Sequence, residues 1–476
     1  MKTHSVAGLL AASVCAAASH AQLSTGPDIV YTSCSGVSTY GPLNGKYAYS
    51  LGSWTCNIGN SPVEWNIAGM NGAPGLAMNI YRMHDGRLVQ LGQSFVKHAC
   101  CAAEGGGCAN EAGQAVSCTS TVGNAELGIG CLDSYSSGYN GGQNRLGPKS
   151  AVDPWTGAFS TYSTGTGDAI FKRCQVEQTD MSNTLFPGAV WIGEGVYVST
   201  RESQQSTALN NNRNNNASYR LITNVTSGAM LTPTGPQYLG KPAIQAWRDH
   251  GLGANVPDSS VTVSQADIPG EGRYWFAYKT KDNNNGTWRY EYAVFNLSSD
   301  LAGGSFTIPV PAGVTVTNSG FRAPQNHSGE LYNNDPWTIT RNSADVTFAC
   351  AQNYNMNVNA NALRWGNMFN FWFDASTAPA AGTQNATLGI FKPFTPTNIS
   401  LPVSAPSGPP GCDALDFNND TLTPDTADID DLLSVFSGGP CSTGNCNDID
   451  FNNDTLFPDT GDIEAMLSVF SGGPCL

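Results

Sequence analysis

The feature that most constrains this chain is a tandem repeat near its C-terminal end, where one segment recurs with an offset of 34 residues. Cysteines bound each copy, Cys412 and Cys441 in the first and Cys446 and Cys475 in the second. The equal spacing favours one disulfide within each copy, Cys412–Cys441 and Cys446–Cys475, with pairing across the copies as the alternative. Residues 412–476 hold 13 of the 37 acidic side chains and none of the 22 Lys and Arg, so the net charge of −15 belongs mainly to this module.

Oxygen-bearing side chains alternate at the start of each copy, in the pattern Asp-x-Asn-x-Asp. Oxygens at positions 1, 3 and 5 of a tight loop converge on one point, a carbonyl at position 7 adds a ligand, and a carboxylate at the next helix completes the sphere of a Ca²⁺ ion. The sequence therefore predicts two calcium sites. The first comprises Asp416, Asn418, Asp420, the Leu422 carbonyl and Asp428, and the second comprises Asp450, Asn452, Asp454, the Leu456 carbonyl and Asp462.

A short amphipathic helix is predicted after each loop. The apolar residues recur at the spacing i, i+3, i+4, i+7, which places them on one helix face. They are Ile429, Leu432, Leu433 and Phe436 in the first copy and Ile463, Met466, Leu467 and Phe470 in the second. We expect these two faces to form the core of the module.

These paired loop–helix repeats resemble the dockerins, calcium-binding modules that tether secreted proteins, often polysaccharide-degrading enzymes, to cohesin partners. The resemblance covers residues 412–476 and implies a cohesin-like or cell-surface protein partner. Thr421 and Thr455 stand at the sixth position, where glycine would ease the turn, and the closing Asp comes at position 13 instead of 12. Asp425 or Asp459 at position 10 is the alternative closing ligand.

Residues 1–21 have the pattern of a secretory signal, with a charged start, an apolar stretch and Ser19-His20-Ala21 as a small-x-small cleavage site. The sequence thus predicts a secreted, extracellular or cell-surface protein with disulfide bonds. No later apolar run reaches the length of a membrane span. Nine cysteines lie between this segment and the tail, an odd number, and Cys100 and Cys101 are interpreted as disulfide partners instead of metal ligands beside His98.

The rest of the chain predicts β structure in two parts, a Gly- and Cys-rich region at 22–228 and an antiparallel β-sandwich at 229–395, followed by a Pro/Ser linker at 396–411. Asp85-Gly86 and Asn285-Gly286 each separate two alternating segments, which is a strong hairpin signal. The predicted fold is therefore mainly β, a disulfide-rich β region plus a β-sandwich, with a small α-helical dockerin-like calcium module.

An aromatic stripe runs along the return strand of the second hairpin. Trp288, Tyr290, Tyr292 and Val294 share one strand face. Such a stripe is either a sugar-stacking platform or core, and we expect core.

The sequence indicates less about the function of this β body than about the function of the tail. No basic stripe is present, which argues against nucleic acid as a partner. A glycosidase needs two facing carboxylates, and the candidates near aromatic or apolar residues are Glu64, Asp133, Asp153, Glu194 and Asp249. No Gly-x-Ser-x-Gly elbow or phosphate-binding loop occurs.

Four body segments are similar to secreted planctomycete proteins, which implies no particular activity. They are residues 93–98, 127–131, 146–150 and 361–365. Two functional hypotheses remain: a β-rich recognition or structural body attached through its calcium module, or a tethered carbohydrate-active enzyme, such as a glycoside hydrolase, that degrades polysaccharide.

Overall fold

Antiparallel strands build most of the chain, as the alternating sequence predicts. A computed structural model describes residues 23–65, 73–99, 101–121, 123, 125–159, 165–205, 211–409, 411–454, 456, 458–473 and 475. The predicted signal segment 1–21, Cys100 and Thr455 lie outside the described residues. The mainly β fold class with a small helical module at the C-terminal end is confirmed.

The strands are mostly short and follow one another closely. In chain order they are β1 (Ile29–Leu43), β2 (Lys46–Asn57), β3 (Val63–Glu64), β4 (Gly75–His84), β5 (Arg87–Gln93), β6 (Val96–His98), β7 (Cys108–Ala109), β8 (Ala115–Val116), β9 (Glu126–Leu127), β10 (Leu132–Tyr135), β11 (Leu146–Gly147), β12 (Cys174–Glu177), β13 (Val190–Val198), β14 (Ala217–Asn224), β15 (Leu231–Tyr238), β16 (Thr262–Ile268), β17 (Gly272–Asp282), β18 (Trp288–Asn296), β19 (Gly303–Pro309), β20 (Val316–Arg322), β21 (Thr338–Arg341), β22 (Asp345–Ala349), β23 (Asn367–Ala375), β24 (Gln384–Ile390) and β25 (Asn398–Val403). The helices are α1 (Ser137–Asn140), α2 (Thr200–Gln205), α3 (Ala246–Asp249), α4 (Thr426–Phe436) and α5 (Thr460–Phe470). Within the described ranges, none of these helices is long and apolar enough to cross a membrane.

Over the described ranges, the body contains four larger antiparallel sheets and two two-stranded ones, β3-β9 and β7-β8. The first has the order β1-β2-β10, with β12 also on β2, and the second has the order β11-β6-β4-β13-β14-β15, with β5 on β4. The third has the order β16-β17-β18-β23-β20 and the fourth the order β21-β22-β19-β24-β25.

Successive sheets share apolar cores, so they stack face to face. Leu76 and Met78 of β4 lie in the core shared with the first sheet, whereas Ala77 and Tyr81 lie in the core shared with the third sheet. A separate core joins the third and fourth sheets. Because the second sheet is covered on both faces, its central strand β13 is buried along its whole length.

Both predicted hairpins are confirmed. His84 pairs with Arg87 across the first turn, where Asp85 and Gly86 take φ values of +50° and +73°. Strand β17 pairs with β18 across the second turn. Tyr290, Tyr292 and Val294 are buried between the third and fourth sheets with Trp288 packed against them, so the aromatic stripe is core, as expected.

The boundaries between the regions differ from those predicted. Strand β15, which falls after the predicted boundary at 228/229, pairs with β14 and completes the second sheet. Strand β25 falls within the predicted linker 396–411 yet pairs with β24, and it buries Leu401 and Val403. A proline-rich segment is extended, and Pro402 is compatible with β25 because this strand lies at a sheet edge.

The predicted disulfide pairing in the tail is wrong, and the alternative pairing across the repeats is found. Cys412 bonds to Cys475 and Cys441 bonds to Cys446. The two repeats contact each other reciprocally, so that the start of each copy lies beside the end of the other. Backbone hydrogen bonds show the same reciprocal arrangement. The Asp413 N–H donates to the Phe451 carbonyl and the Asn447 N–H donates to the Phe417 carbonyl, both at 2.8 Å.

The tail has a small core of its own, formed mainly by Phe417, Leu432, Phe451 and Met466. The predicted helix faces are only partly correct, because Leu433 and Leu467 are exposed. In the body, Cys56–Cys108 and Cys118–Cys131 are disulfides, while Cys34, Cys174 and Cys350 are free thiols. The predicted Cys100–Cys101 pair involves a residue outside the described ranges.

Candidate functional site

Backbone N–H groups bind the side chains of the first predicted calcium loop. Asp416 accepts hydrogen bonds from the N–H groups of Asp420 at 3.0 Å and Thr421 at 3.1 Å. Asn418 Oδ1 also accepts from the Asp420 N–H at 3.1 Å, and Asp420 Oδ1 accepts from the Leu422 N–H at 2.8 Å. These bonds fold the segment into a tight loop and hold its three candidate ligand side chains in place.

The second loop repeats this geometry. The Asp454 N–H donates to Asp450 Oδ1 at 3.0 Å and to Asn452 Oδ1 at 3.1 Å. The Leu456 N–H donates to Asp454 Oδ1 at 2.8 Å. The matching distances follow from the matching sequence, and they make the two loops equivalent candidate sites.

The carboxylates at position 13 lie against their loops. Asp428 is fully buried in the first turn of α4, where Oδ2 accepts from the Asp425 N–H at 3.1 Å and Oδ1 contacts the Asn418 N–H at 3.4 Å. Asp462 is also fully buried and makes the equivalent pair of bonds in the second repeat.

The carboxylate at position 10 has a different role. Asp425 is the N-cap of α4 and accepts from the Ala427 N–H at 2.8 Å, and Asp459 caps α5 in the same way. Of the two alternatives for the closing ligand, the buried Asp428 and Asp462 are therefore the better placed.

This donor set fits calcium. Burying a carboxylate without a cation is costly, and residues 412–476 contain no Lys or Arg that could pair with Asp428 or Asp462. Carboxylate, amide and carbonyl oxygens are the ligands that Ca²⁺ takes in proteins.

A tighter cluster of potential ligand atoms lies elsewhere in the tail. Within the described ranges, Asp431, Cys441 and Cys446 are the one group of at least three His, Cys, Asp or Glu residues whose ligand atoms all lie within 4.8 Å of one another. Both cysteines are consumed by their disulfide, and Asp431 accepts two hydrogen bonds from Ser442. The cluster therefore has a structural role at the junction of the two repeats.

Two of the five candidate body carboxylates are buried inside the fold. Asp133 is fully buried and accepts from Trp65 Nε1 at 2.9 Å and from the Ala103 N–H at 2.7 Å. Glu194 is fully buried on β13 and accepts from the Tyr81 hydroxyl at 2.6 Å. Burial raises the pKa of both carboxyl groups.

The other three serve local structure. Asp153 accepts from the Trp155 N–H at 2.9 Å and so holds a turn. Asp249 pairs with Arg248 at 2.9 Å, and Glu64 lies in the short ladder formed by β3 and β9. Each of these three carboxylates thus has a local structural partner, and within the described ranges no hydrogen bond joins any two of the five candidates.

Sequence reasoning missed a charged cleft of about 410 Å³ where the β4–β5 hairpin meets the third sheet. Cationic and aromatic side chains dominate its lining. They are Arg82, His84, Arg87, Lys281, Arg289, Arg322, Phe186 and Trp372, joined by Asp85 and Glu291 among others. These residues come from distant parts of the sequence, which explains why no local pattern marks the cleft.

One wall of the cleft is an ordered chain of ion pairs. Arg87 donates through Nε to Glu291 at 2.6 Å, and its guanidinium carbon lies 3.9 Å from the centroid of the Trp372 ring. Arg289 bridges Glu291 and Asp374, donating through Nη2 to Asp374 at 3.0 Å. The two guanidinium groups are thus held in fixed orientations by both carboxylates and an aromatic face.

Two further guanidinium groups of the cleft, those of Arg82 and Arg322, share one carboxylate. Arg82 Nη1 lies 3.1 Å from Asp180 Oδ1, and Arg322 Nη2 lies 2.5 Å from Asp180 Oδ2. Arg82 also stacks on Phe186, with its guanidinium carbon 3.2 Å from the ring centroid. Burial lowers the pKa of Arg82 to about 10, with the nearby Arg322 charge acting in the same direction. Positive charge is therefore in excess in this part of the cleft.

Comparisons with known proteins assign no family. No family model and no curated protein matches the chain. A solved complex of the Amycolatopsis orientalis exo-chitosanase is similar at 9% identity and a TM-score of 0.14, over 74% of this chain and 25% of that one. A structure of manganese lipoxygenase of Gaeumannomyces graminis, with part of a zonadhesin of Komagataella pastoris, shares 10% identity at a TM-score of 0.15. The alignment with this second structure covers 76% of this chain and 88% of the other chain. Likenesses this weak carry no argument, and the chain spans only a quarter of the chitosanase.

Proposed function

We propose that this is a secreted modular protein whose C-terminal repeats bind two calcium ions and attach a β-rich recognition body to a partner or to the cell surface. The buried carboxylates of Asp428 and Asp462 carry this proposal, because each lies beside a loop of oxygen ligands in a module without cationic side chains. Calcium supplies the missing positive charge. Because it binds the folded loops, it stabilises the module.

Pairs of exposed leucines at equivalent positions of the two repeats support the attachment role. Leu422 and Leu456 are each 62% exposed, and Leu433 and Leu467 are 42% and 46% exposed. Exposed apolar side chains at equivalent positions of both repeats form a surface that can pack against a protein partner, such as a cohesin-like domain.

The cleft described above supports the recognition role of the body. Guanidinium groups held by carboxylates and aromatic rings bind carboxylate or sulfate groups without losing much side-chain freedom. We therefore propose an acidic polysaccharide as the ligand of the body. The cleft contains ion-paired carboxylates and excess cations, which favours binding of an anionic glycan over its hydrolysis.

The calcium proposal is tested by titration calorimetry on the full chain. We expect two calcium ions per chain for the native protein and none for the double variant Asp420→Ala/Asp454→Ala, because each substitution removes a loop carboxylate. The matched control is Asp430→Ala, which removes an exposed acid of α4 outside the loops and leaves both sites intact. Unchanged calcium binding in the double variant would refute the ligand assignment.

The recognition proposal is tested with a panel of acidic and neutral polysaccharides, reading both binding and released reducing sugar. We expect binding of uronate-containing polymers to weaken at least about tenfold in Arg322→Gln, because one charged hydrogen bond contributes about 1.5–3 kcal/mol. Arg273→Gln, whose ion pair with Asp267 lies outside the cleft, serves as the control. Equal binding of neutral polymers would contradict the proposal, and sugar release would support the enzyme hypothesis instead.

A further inference from the structure

A lysine is buried between the second and third sheets with neutral hydrogen-bond partners. Lys149 is 2% exposed. Its Nζ donates to Asn367 Oδ1 at 2.9 Å and to the Gly366 carbonyl at 3.3 Å, and it lies 5.5 Å from the centroid of the Trp365 ring. A buried lysine normally needs a carboxylate partner to remain charged.

The surroundings favour the uncharged amine. Burial lowers the pKa of Lys149 to about 7, although the nearby Glu330 carboxylate acts in the opposite direction. A substantial fraction of this amine is therefore neutral near pH 7, and a neutral lysine amine is a nucleophile.

The side-chain amide of Asn367 is the electrophile in contact with this amine. Asn367 is 3% exposed, and its Oδ1 accepts from Lys149 and, at 3.5 Å, from Gln90 Nε2. When the amine attacks, the Gln90 side-chain amide is the donor that can stabilise the negative charge developing on Oδ1. The 2.9 Å contact between Nζ and Oδ1 places the amine beside the amide group that it would attack.

A buried acid lies in the same polar network. Glu194 Oε2 accepts from Asn79 Nδ2 at 2.9 Å, and Asn79 Nδ2 also donates to the Gly366 carbonyl at 3.0 Å. That carbonyl is the second acceptor of Lys149. Burial raises the pKa of Glu194, which favours the protonated acid and provides a local proton donor.

We propose that Lys149 and Asn367 form an intramolecular isopeptide bond. The neutral Nζ attacks Cγ of Asn367, a C–N bond forms, and the bond from Cγ to Nδ2 breaks. One proton from Nζ leaves with Nδ2 as ammonia, so the step needs no oxidant, reductant or further reactant. Glu194 is a positioning residue that assists proton transfer through the network and touches neither reacting group.

The bond would join the two halves of the body. Lys149 follows β11 of the second sheet, and Asn367 begins β23 of the third sheet. Apolar packing and hydrogen bonds also hold the two sheets together at this point, but both are lost when the protein unfolds. A covalent tie at this point keeps the sheets together in a protein exposed to proteases outside the cell.

Peptide mapping of the full chain tests the proposal without any variant. We expect trypsin not to cleave after Lys149 in the denatured protein. The peptide that contains Lys149 should be joined to the peptide that contains Asn367, at a mass about 17 Da below their sum because ammonia is lost. Separate peptides with unmodified Lys149 and Asn367 would overturn the proposal.

Variants separate the roles of the three residues. Lys149→Arg and Asn367→Ala should each abolish the joined peptide, whereas Lys241→Arg, a substitution at a lysine whose side chain is 45% exposed, should leave its yield unchanged. Glu194→Gln should slow its formation at least about a hundredfold, the lower end of the range expected when proton transfer loses its donor. Full and rapid formation in Glu194→Gln would remove Glu194 from the mechanism, and joined peptide in Asn367→Ala would assign the bond to a different partner and overturn the proposal.

Discussion

Thr421 adopts a backbone conformation that its side chain disfavours. Its φ is +72°, in the left-handed region, where a β-branched residue is an outlier. The sequence already marks this sixth loop position as one where glycine would ease the turn. The strain lies inside the first proposed calcium loop, between the candidate ligands Asp420 and Leu422.

We predict that Thr421→Gly tightens calcium binding at the first site. Relief of about 1–2 kcal/mol of backbone strain corresponds to an affinity about 5- to 30-fold higher, provided that the loop is ordered by calcium. Titration calorimetry on the full chain measures this, and the second site, which keeps its threonine, serves as the internal control. Equal affinities before and after the substitution would contradict the prediction.

Glu202 couples the stability of the body to pH. It is fully buried on α2 and accepts from the Ile29 N–H at 3.0 Å. Burial, reinforced by the nearby Asp28 charge, raises its pKa from 4.5 to about 8. Between these values the folded protein binds a proton that the unfolded chain releases, so the stabilisation present below pH 4.5 is lost as pH rises to about 8.

We predict that Glu202→Gln removes this loss. The variant and the native protein should have similar Tm values at pH 4, and the variant should be the more stable at pH 8. Thermal unfolding between these two pH values measures the difference. Parallel pH profiles for the two proteins would show that Glu202 does not titrate between the folded and unfolded states as described.

At the scale of single elements, the hairpins were predictable and the tail disulfides were not. Asp85-Gly86 determines its turn locally, because both residues tolerate positive φ and the flanking strands alternate. The cysteine spacing of each repeat carries no such local information. Pairing Cys412 with Cys475 depends on how two complete repeats dock, which only their packed helices determine.

The two tail disulfides should contribute unequally to stability. Cys412–Cys475 closes a separation of 63 residues, and Cys441–Cys446 closes one of only 5. Chain entropy gives about 4 kcal/mol for the first and about 2 kcal/mol for the second. Denaturant unfolding of the tail in Cys412→Ser/Cys475→Ser and in Cys441→Ser/Cys446→Ser, both without calcium, measures the two contributions. Equal losses would contradict the chain-entropy account.

At the scale of the whole molecule, the cleft and the boundary between the regions depend on long-range packing, so they could not be predicted from local sequence patterns. The charged cleft joins Arg87 to Glu291, which are 204 residues apart, so neither residue has a recognisable neighbour in the sequence. The same packing explains the boundary error at 228/229, since β15 looks like any other short strand until its partner β14 is known. By contrast, the mainly β class and the small helical tail followed from local periodicity.

The body and the tail differ in their balance of charged residues, and this difference matches the two proposed binding functions. The tail holds acidic side chains without cations, whereas nearly every acidic residue of the body is matched in number by a Lys or Arg. In the proposed function, calcium would balance the acidic charge of the tail, and an anionic glycan would balance the small excess of cations in the cleft. The two binding events therefore require different parts of the chain and can be measured separately.

Amide hydrogen exchange of the full chain with and without calcium shows whether the two repeats bind calcium. We expect calcium to slow exchange in two segments, 416–428 and 450–462, and in the helices that follow them, and to leave exchange in the body unchanged. Such protection follows from ordering of both loops by bound ions. No protection in the tail, or protection of the body alone, would contradict the claim that the repeats are calcium-binding modules.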